Sequence, residues 1–320
     1  MIIQNFMPKK GESSVRDKLL AGLRSDPKTI PSMFFYDHRG SELFEQITGL
    51  EEYYPPKIEI PLLASTARKL EHELNDCDIV ELGSGDCSKI SVFLDEVSED
   101  IRATMAYYPV DVCKEAIEKS ACNLHAIYPE MEIHGITADF LEHMEKIPGD
   151  RKRFFCFFGS TIGNLSEAKS MEFMGNLGEV MNANDRLILG MDMVKDIDVI
   201  EKAYNDDKGI TAEFNKNILK VTNDNLGTNF DSGDFEHVSF FNREYSRIEM
   251  HLRAKRDLVI KIPVTNEKIT IRKGEMIHTE YSHKYTEDDI AKLADAAGLD
   301  VEEIFTDDRK WFSLVEMVKR

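Results

Sequence analysis

The chain has 320 residues, of which 42% are hydrophobic and 31% charged, and its formal net charge is −19 at pH 7. This composition allows a buried core, and the length suits two modest domains or one elaborated domain, at about 150 residues per domain. The negative charge disfavours nucleic acid and anionic membranes as partners, because both would be repelled. It suits a small zwitterionic or cationic ligand better.

The cysteines are scattered, odd in number and never spaced as C-x-x-C. This pattern predicts neither a disulfide framework nor a zinc site, and it favours a reducing compartment. No run approaches the roughly 18 apolar residues of a membrane span, and the first residues carry no cleavage signature. We therefore expect a cytoplasmic protein that does not cross a membrane, and a monomer as the default.

In chain order, the first 60 residues are predicted to form helices and turns, with helices at 41–48 and 57–74. From residue 77 onward, short apolar runs alternate with amphipathic stretches. The predicted strands are 77–82, 105–112, 132–140, 153–160 and 186–193, and the predicted helices between them are 88–97, 113–128 and 166–181. Such alternation predicts an α/β fold, a parallel sheet wrapped by helices.

Residues 195–230 are predicted to be helical, and a β-rich block follows them. Its apolar runs are 236–242, 246–255, 257–264 and 267–282. This block interrupts the alternation of strands and helices and is predicted to be an insertion. The last helix, 286–299, opens with a possible capping box of Thr286 and Asp289. Two further runs predict a terminal antiparallel pair of strands.

The first predicted strand ends in the turn ELGSG, residues 81–85. The turn lacks the GK[ST] ending of an ATP or GTP loop, and Ser88 stands where a dinucleotide-binding turn has its third glycine. An E-x-G-x-G turn with acids at the ends of the next two strands is typical of S-adenosylmethionine sites. Asp111 is placed to accept the ribose hydroxyls, and Asp139 the adenine amino group, with Phe140 against the ring. The sequence therefore predicts S-adenosylmethionine as cofactor.

Longer stretches carry a family resemblance: 34–59, 80–89, 157–165, 190–196, 203–215, 235–242, 247–254 and 278–285. They resemble the histidine-specific Nα-methyltransferases, which form hercynine on the way to ergothioneine. The resemblance runs from about Lys28 to the C-terminus, and STIGNL within 157–165 is a very specific motif. It implies a Rossmann-like S-adenosylmethionine domain, here 61–194 and 284–320, and an α+β substrate-binding domain, here 1–60 and 195–283.

The same resemblance implies a set of site residues. The cofactor would be held by Gly83, Lys89, Asp111, Asp139 and Phe140. The positions nearest the reaction would be Tyr36, Tyr53 and Asn164, of which Tyr36 lies near the methyl-accepting amine. Tyr53, Asn164 and Tyr204 would hold the α-amino and α-carboxylate groups. The imidazole would be held by Glu280 and Ser282 in a pocket lined by Thr211 and Met250.

The implied reaction is S-adenosylmethionine-dependent trimethylation of L-histidine, through its mono- and dimethyl intermediates and without a metal. The chain departs from the family pattern at Asn205, at Phe305 and at the pair Asp86-Cys87. The departures cast doubt on affinity more than on the reaction. The resemblance leaves open whether the product enters an aerobic or an anaerobic route.

Each singled-out residue has a purely structural alternative. Tyr53 would then pack under the N-terminal helices, Asn164 would cap a helix, and Lys89 would be a surface lysine. Glu280, in an alternating run, would lie on a solvated strand face. The spacing of His278 and His283 around Glu280 suggests a metal site, but alternation along a strand sends these side chains to different faces.

Three functional alternatives stay open from the sequence. The nearest is a related N-methyltransferase for another free amino acid, for which the acidic Glu280 would have little use. The second is a nicotinamide-dependent oxidoreductase, which the missing third glycine disfavours. The third is a non-catalytic subunit that binds the cofactor without turnover.

Overall fold

The computed structural model describes residues 2–7 and 14–320. The chain divides into two compact units. The first unit comprises Met1–Met7, Pro55–Val194 and Lys284–Arg320, and the second comprises Pro8–Tyr54 and Lys195–His283. None of the helices in the described residues is both long and apolar enough to cross a membrane.

The described residues contain thirteen strands and ten α-helices. The strands are β1 (Ile2–Asn5), β2 (Cys77–Leu82), β3 (Ala106–Asp111), β4 (Glu132–Thr137), β5 (Lys152–Phe157), β6 (Arg186–Asp192), β7 (Phe235–Asn242), β8 (Arg247–Ala254), β9 (Leu258–Ile262), β10 (Glu267–Ile271), β11 (Met276–His283), β12 (Leu299–Thr306) and β13 (Phe312–Lys319). The helices are α1 (Ser14–Arg24), α2 (His38–Thr48), α3 (Pro55–Leu70), α4 (Ser88–Asp95), α5 (Glu99–Arg102), α6 (Lys114–Ile127), α7 (Glu167–Val180), α8 (Ile197–Ala203), α9 (Ile210–Leu226) and α10 (Glu287–Ala297).

The first unit is built on a sheet of eight strands in the described residues, in the order β1-β4-β3-β2-β5-β6-β13-β12. The strands from β1 to β6 pair in parallel, and β13 runs antiparallel to both β6 and β12. Every residue of β2 is buried, as is typical of a parallel strand covered on both faces. The predicted α/β sheet closed by an antiparallel pair is confirmed.

The capping box of α10 is also confirmed. The Thr286 hydroxyl accepts a hydrogen bond from the Asp289 amide at 3.3 Å, and the Asp289 carboxylate accepts one from the Thr286 amide at 3.0 Å. Helix α10 packs on α7 so closely that a Cβ at Gly178 would collide with the carbonyl group of Ala297. This glycine therefore sets the distance between two helices that cover the sheet.

The prediction that the first 60 residues form only helices and turns is wrong at β1. This strand pairs in parallel with β4, in the register Ile3 to Gly135. Residues 2–7 and 55–60, which the family resemblance assigns to the substrate-binding domain, lie in the sheet unit. A four-residue edge strand gives little local signal, because its partner is more than a hundred residues away in the chain.

The second unit contains a three-stranded antiparallel sheet in the order β11-β8-β7 and a separate hairpin of β9 and β10. Helices α8 and α9 confirm the helical prediction for 195–230, and α9 packs on β7 and β8, to which Asn215 makes hydrogen bonds. The run 267–282 is split between two sheets, because the chain turns before β11 at Gly274, which has a φ of +83°.

Candidate active site

The glycine turn after β2 has the backbone shape that its sequence requires. Gly83 and Gly85 have φ angles of +68° and +53°, which side chains with a Cβ rarely adopt. The amides of Gly83 and Ser84 donate to the carbonyl of Val110 at 2.8 and 3.2 Å, which ties the turn to the end of β3. A Cβ at Gly85 would meet no atom within 4 Å, so the space beside it is open.

Asp111 ends β3 directly beside this turn. Its carboxylate accepts hydrogen bonds from the amides of Gly85 at 3.0 Å and Cys113 at 2.9 Å. Burial raises the pKa of Asp111, while these amide donors oppose the rise by favouring the ionised form. The carboxylate is thus held in one orientation at the carboxyl edge of the sheet.

Asp139 and Phe140 follow β4 at the same edge. Asp139 is buried, and its carboxylate accepts from the amide of Leu141 at 3.0 Å. The ring of Phe140 packs edge-on against that of Phe157, with centroids 5.3 Å apart, and a Cβ at Gly83 would lie 3.6 Å from it. The structure therefore brings the predicted cofactor residues of the turn, β3 and β4 together.

Glu81 lies under the turn and is fully enclosed. The hydroxyl of Tyr107 donates to its carboxylate at 2.5 Å and lies 3.3 Å from the thiol of Cys87, one of the departures from the family pattern. Burial raises the pKa of Glu81 to about 8, so this side chain is largely protonated at neutral pH. The turn thus rests on a neutral hydrogen-bonded cluster.

Lys89, the remaining predicted cofactor residue, forms an ion pair with Glu59 of α3, with Nζ and Oε2 2.9 Å apart. Glu59 also accepts a hydrogen bond from the amide of Gly159 at 2.5 Å. Glu59 was not among the residues predicted from the sequence. The sequence signal that could have identified it is an acid on the face of α3 that otherwise carries buried apolar residues such as Leu63.

Asn164 lies at the end of a short 3-10 helix, Thr161–Asn164, which follows β5. The loop before it turns through two left-handed residues, Gly159 and Ser160, with φ angles of +75° and +55°. The hydroxyl of Ser160 accepts from the amide of Asp192 at 3.0 Å. Asn164 is therefore carried by a shaped loop that is anchored to β6, in the same unit as the predicted cofactor residues.

The predicted tyrosines lie in the second unit, within a chain of aromatic rings. Tyr36 contacts Phe44 with centroids 5.5 Å apart, and Phe44 lies 6.3 Å from Tyr53. Tyr53 in turn lies 6.1 Å from Tyr204. The rings of Tyr36 and Phe44 also pack against Phe214 of α9. These ring faces suit a ligand that carries a positive charge.

Glu280 and Ser282 occupy alternate positions of β11 and so share one face of the strand. Both are buried, at 7% and 6% exposure, which contradicts the structural alternative of a solvated glutamate. The hydroxyls of Ser282 and Tyr204 are 2.7 Å apart. Met250 is the residue opposite Glu280 on β8. The structure thus brings together four of the predicted substrate residues.

Thr211, the last predicted substrate residue, is buried at the start of α9. Its amide donates to the carboxylate of Asp206 at 2.8 Å. A supporting network that the sequence did not reveal lies beside β11. Asn215 of α9 accepts from the hydroxyl of Thr279 at 2.7 Å and contacts the ring of His237, whose other nitrogen donates to the carbonyl of Tyr204 at 3.0 Å.

The rings of the two histidines near Glu280, His278 and His283, contact the ring of Tyr281. The ring of Tyr281 lies 3.9 Å from that of His278 and 6.1 Å from that of His283. Since Tyr281 points to the opposite face from its neighbours Glu280 and Ser282, these imidazoles lie away from the buried glutamate. Within the described residues, no group of three or more His, Cys, Asp or Glu could hold a metal ion.

Comparison with known proteins decides the family. The sequence matches the family described as "Histidine-specific methyltransferase, SAM-dependent" over residues 15–319. The chain belongs to this family. Its membership settles the enzyme class as an S-adenosylmethionine-dependent methyltransferase, and it removes the oxidoreductase and the non-catalytic subunit as alternatives.

Individual relatives agree with the family. The chain is 38% identical over 88% of its length to a histidine N-alpha-methyltransferase of Mycolicibacterium smegmatis, of which it covers 88%. It is 29% identical over 87% of its length to ergothioneine biosynthesis protein 1 of Neurospora crassa, of which it covers 32%. A solved mitomycin 7-O-methyltransferase shares the fold with a TM-score of 0.50 and 12% identity, covering 90% of this chain and 60% of that one.

The residues of the first unit fit S-adenosylmethionine, the cofactor of this family. The open space at Gly85 admits a ligand against the backbone, and the held carboxylate of Asp111 offers an acceptor for a ribose diol. Buried Asp139 offers a further acceptor, and the next residue in the chain is the half-buried Phe140. We propose that these residues and Lys89 hold the cofactor.

We expect Asp111→Ala to weaken S-adenosylmethionine binding about tenfold or more while the fold persists. The variant loses charge-assisted hydrogen bonds worth about 1.5–3 kcal/mol. Isothermal titration calorimetry measures the change, with circular dichroism as a check on folding. Asp100→Ala, which removes an exposed acid from α5, is the matched control and should bind normally. Unchanged binding by Asp111→Ala would remove Asp111 from the site.

Proposed function

We propose that the protein transfers three methyl groups in succession from S-adenosylmethionine to the α-nitrogen of L-histidine. The product would be hercynine, and the reaction the first step of ergothioneine biosynthesis. Family membership supports the substrate, and so does the relative named histidine N-alpha-methyltransferase. The observation that carries the proposal is a buried acid beside a buried hydroxyl, Glu280 and Ser282, on one face of β11.

This pair matches the hydrogen-bonding groups of a neutral imidazole, which presents one N–H donor and one acceptor nitrogen. The carboxylate of Glu280 would accept from the N–H. The hydroxyls of Ser282 and Tyr204 are 2.7 Å apart, and a serine hydroxyl can donate to the acceptor nitrogen of the ring. An apolar side chain would desolvate these buried polar groups without offering them hydrogen bonds, so the pair favours histidine over apolar amino acids.

Methyl transfer to an amine needs a neutral lone pair aimed at the methyl carbon. S-adenosylmethionine supplies an electrophilic methyl group on a sulfonium. The protein's task is mainly positioning, which can contribute about 7–11 kcal/mol in well-oriented reactions. We propose that Asn164, Tyr53 and Tyr204 hold the amino and carboxylate groups of the substrate. A small polar set of this kind lets the amine rotate and accept further methyl groups.

The aromatic rings of the second unit suit the later steps. The third methylation turns the nitrogen into a permanently charged quaternary ammonium. Aromatic ring faces stabilise such cations by about 0.5–2 kcal/mol. Tyr36 is 45% exposed and Tyr53 is half-buried, so both rings keep surface for a ligand. We propose that these two tyrosines face the methylated ammonium.

We also propose that the protein acts as a cytoplasmic monomer. Three of its cysteines, Cys77, Cys87 and Cys156, are buried thiols, which suits a reducing compartment. Size-exclusion chromatography with light scattering tests the monomer, and cell fractionation tests the compartment. A stable dimer, or recovery from a secreted fraction, would contradict this part of the proposal.

The substrate is tested by incubating purified protein and S-adenosylmethionine with each common amino acid separately. Mass spectrometry should show three methyl groups added to histidine and little methylation of the others. Preferred turnover of another amino acid would overturn the proposed substrate and leave the enzyme class intact.

A further inference from the structure

Glu59 is a charged side chain in a place where α3 is otherwise apolar. Its carboxylate-bearing side chain is 1% exposed, and the same helix buries Leu62, Leu63 and Ala67. Burying a carboxylate is costly unless each oxygen finds a partner. Oε1 of Glu59 accepts a hydrogen bond from a backbone amide, whereas Oε2 has an ion-pair contact with an ammonium and, within the described residues, no hydrogen bond. Both partners belong to the carboxyl edge of the sheet, where the predicted cofactor residues lie.

The backbone around Glu59 is shaped to receive it. Oε1 accepts from the amide of Gly159 at 2.5 Å, and Oε2 lies 2.9 Å from Nζ of Lys89. A Cβ at Gly190 of β6 would lie 2.9 Å from Oε1 of Glu59, and a Cβ at Gly159 would lie 2.5 Å from Nζ of Lys89. Both glycines therefore leave the room that the carboxylate and the ammonium occupy.

The two partners of Glu59 serve different parts of the candidate site. Lys89 is the second residue of α4, directly after the glycine turn. An ammonium has three N–H donors, and because the Lys89 side chain is 29% exposed, it keeps donors for a ligand beside its contact with Glu59. Gly159 begins the loop whose 3-10 helix ends at Asn164. One buried carboxylate thus contacts both the cofactor turn and the loop of Asn164.

We propose that Glu59 is a positioning residue that orients Lys89 toward the carboxylate of S-adenosylmethionine and, through Gly159, fixes the loop that carries Asn164. The inference rests on the role proposed for Lys89 in holding the cofactor and on the role of Asn164 in the proposed function. Glu59 would act on the ligands only through these two neighbours, since its own side chain is enclosed.

Two substitutions separate the two contacts. In Glu59→Gln the amide oxygen can still accept from the Gly159 amide, but its NH2 group then faces the Lys89 ammonium and cannot hold it. Glu59→Leu removes both contacts and keeps a side chain of similar size. We therefore expect Glu59→Gln to affect cofactor binding alone, and Glu59→Leu to affect binding and turnover.

The first test is a double-mutant cycle on the full chain with Glu59→Gln, Lys89→Met and the double variant. Calorimetry measures the Kd of S-adenosylhomocysteine, so the result does not depend on which amino acid is methylated. Glu59→Gln should raise this Kd about tenfold in the parent protein and less than twofold in the Lys89→Met background. An equal effect in both backgrounds, or no effect in the parent, would overturn the role through Lys89.

The second test is the kcat for histidine at saturating substrates. Glu59→Gln should keep kcat within about threefold of the parent, whereas Glu59→Leu should lower it about tenfold or more. Equal kcat values for these two variants would overturn the role through the Asn164 loop. Failure of histidine as a substrate would contradict the proposed function, while the binding cycle would still decide the role of Glu59 toward Lys89.

A matched control separates these effects from a general loss of stability. Glu316 of β13 is also buried and pairs with a partly exposed cation, Arg186, at the opposite end of β6. Glu316→Gln should leave the Kd of S-adenosylhomocysteine unchanged. If it weakens binding as much as Glu59→Gln, the effect of Glu59 is one of sheet stability and the proposal fails.

Discussion

Replacing Glu280 by alanine should lower kcat/KM for histidine about ten- to a hundredfold, a loss of about 1–3 kcal/mol. The same change should improve the relative use of tryptophan and phenylalanine. Both effects follow from one feature of β11, a carboxylate that is only 7% exposed and shares a face with Ser282.

The expected change in specificity has a physical basis. In the parent protein an apolar amino acid would desolvate the carboxylate without offering it a hydrogen-bond donor, which is unfavourable. Alanine removes that penalty and leaves the apolar surroundings, such as Met250, unchanged. Histidine loses a partner for its ring N–H, so the two classes of substrate move in opposite directions.

The measurement is the ratio of kcat/KM for histidine to that for tryptophan, in the parent and the variant. Glu236→Ala is the matched control, because Glu236 lies in β7 of the same sheet and its partner is Arg253 in an exposed ion pair. The control should leave the ratio unchanged. An unchanged ratio in Glu280→Ala as well would show that Glu280 does not recognise the imidazole.

Replacing Asp185 by alanine should lower the Tm by about 6–20 °C. Asp185 is fully buried and accepts from the amides of Arg153 and Asn182, each at 2.7 Å, and from the Arg153 guanidinium at 2.6 and 2.9 Å. Removing one partner of such a pair costs about 3–5 kcal/mol, because it leaves a buried charge uncompensated. For a unit of this size, each kcal/mol shifts Tm by about 2–4 °C.

Differential scanning calorimetry measures this loss. Asp295→Ala is the control, because it breaks an ion pair with Arg320 whose side chains are 71% and 50% exposed. An exposed pair contributes little, so this variant should melt close to the parent temperature. Similar Tm values for the two variants would show that the buried pair does not stabilise the sheet unit.

The sheet of the first unit could be predicted from local sequence, because each buried parallel strand is a short apolar run that ends in a turn. The runs at 77–82 and 186–193 correspond closely to β2 and β6. β1 could not be predicted in the same way. Its four residues end at polar Gln4 and Asn5, and only pairing with β4 makes them a strand.

The candidate site was less predictable from pattern alone. Alternation in β11 suggests an exposed glutamate, and only tertiary packing buries Glu280 next to the Ser282–Tyr204 contact. The contacts of Glu59 could not be predicted from local sequence either, because they depend on glycines far away in the chain, Gly159 and Gly190. The assignments of Tyr36, Asn164 and Lys89 came from the family resemblance, and they stay predictions.

The position of methylation on histidine tests the central proposal most directly. Purified protein would be incubated with histidine and S-adenosylmethionine labelled with carbon-13 in the methyl group, and the product analysed by NMR. The proposal predicts three equivalent methyl groups on the α-nitrogen, correlated with the α-carbon, and mono- and dimethyl forms as transient intermediates. Label on a ring nitrogen, or only on protein or nucleic acid, would contradict it.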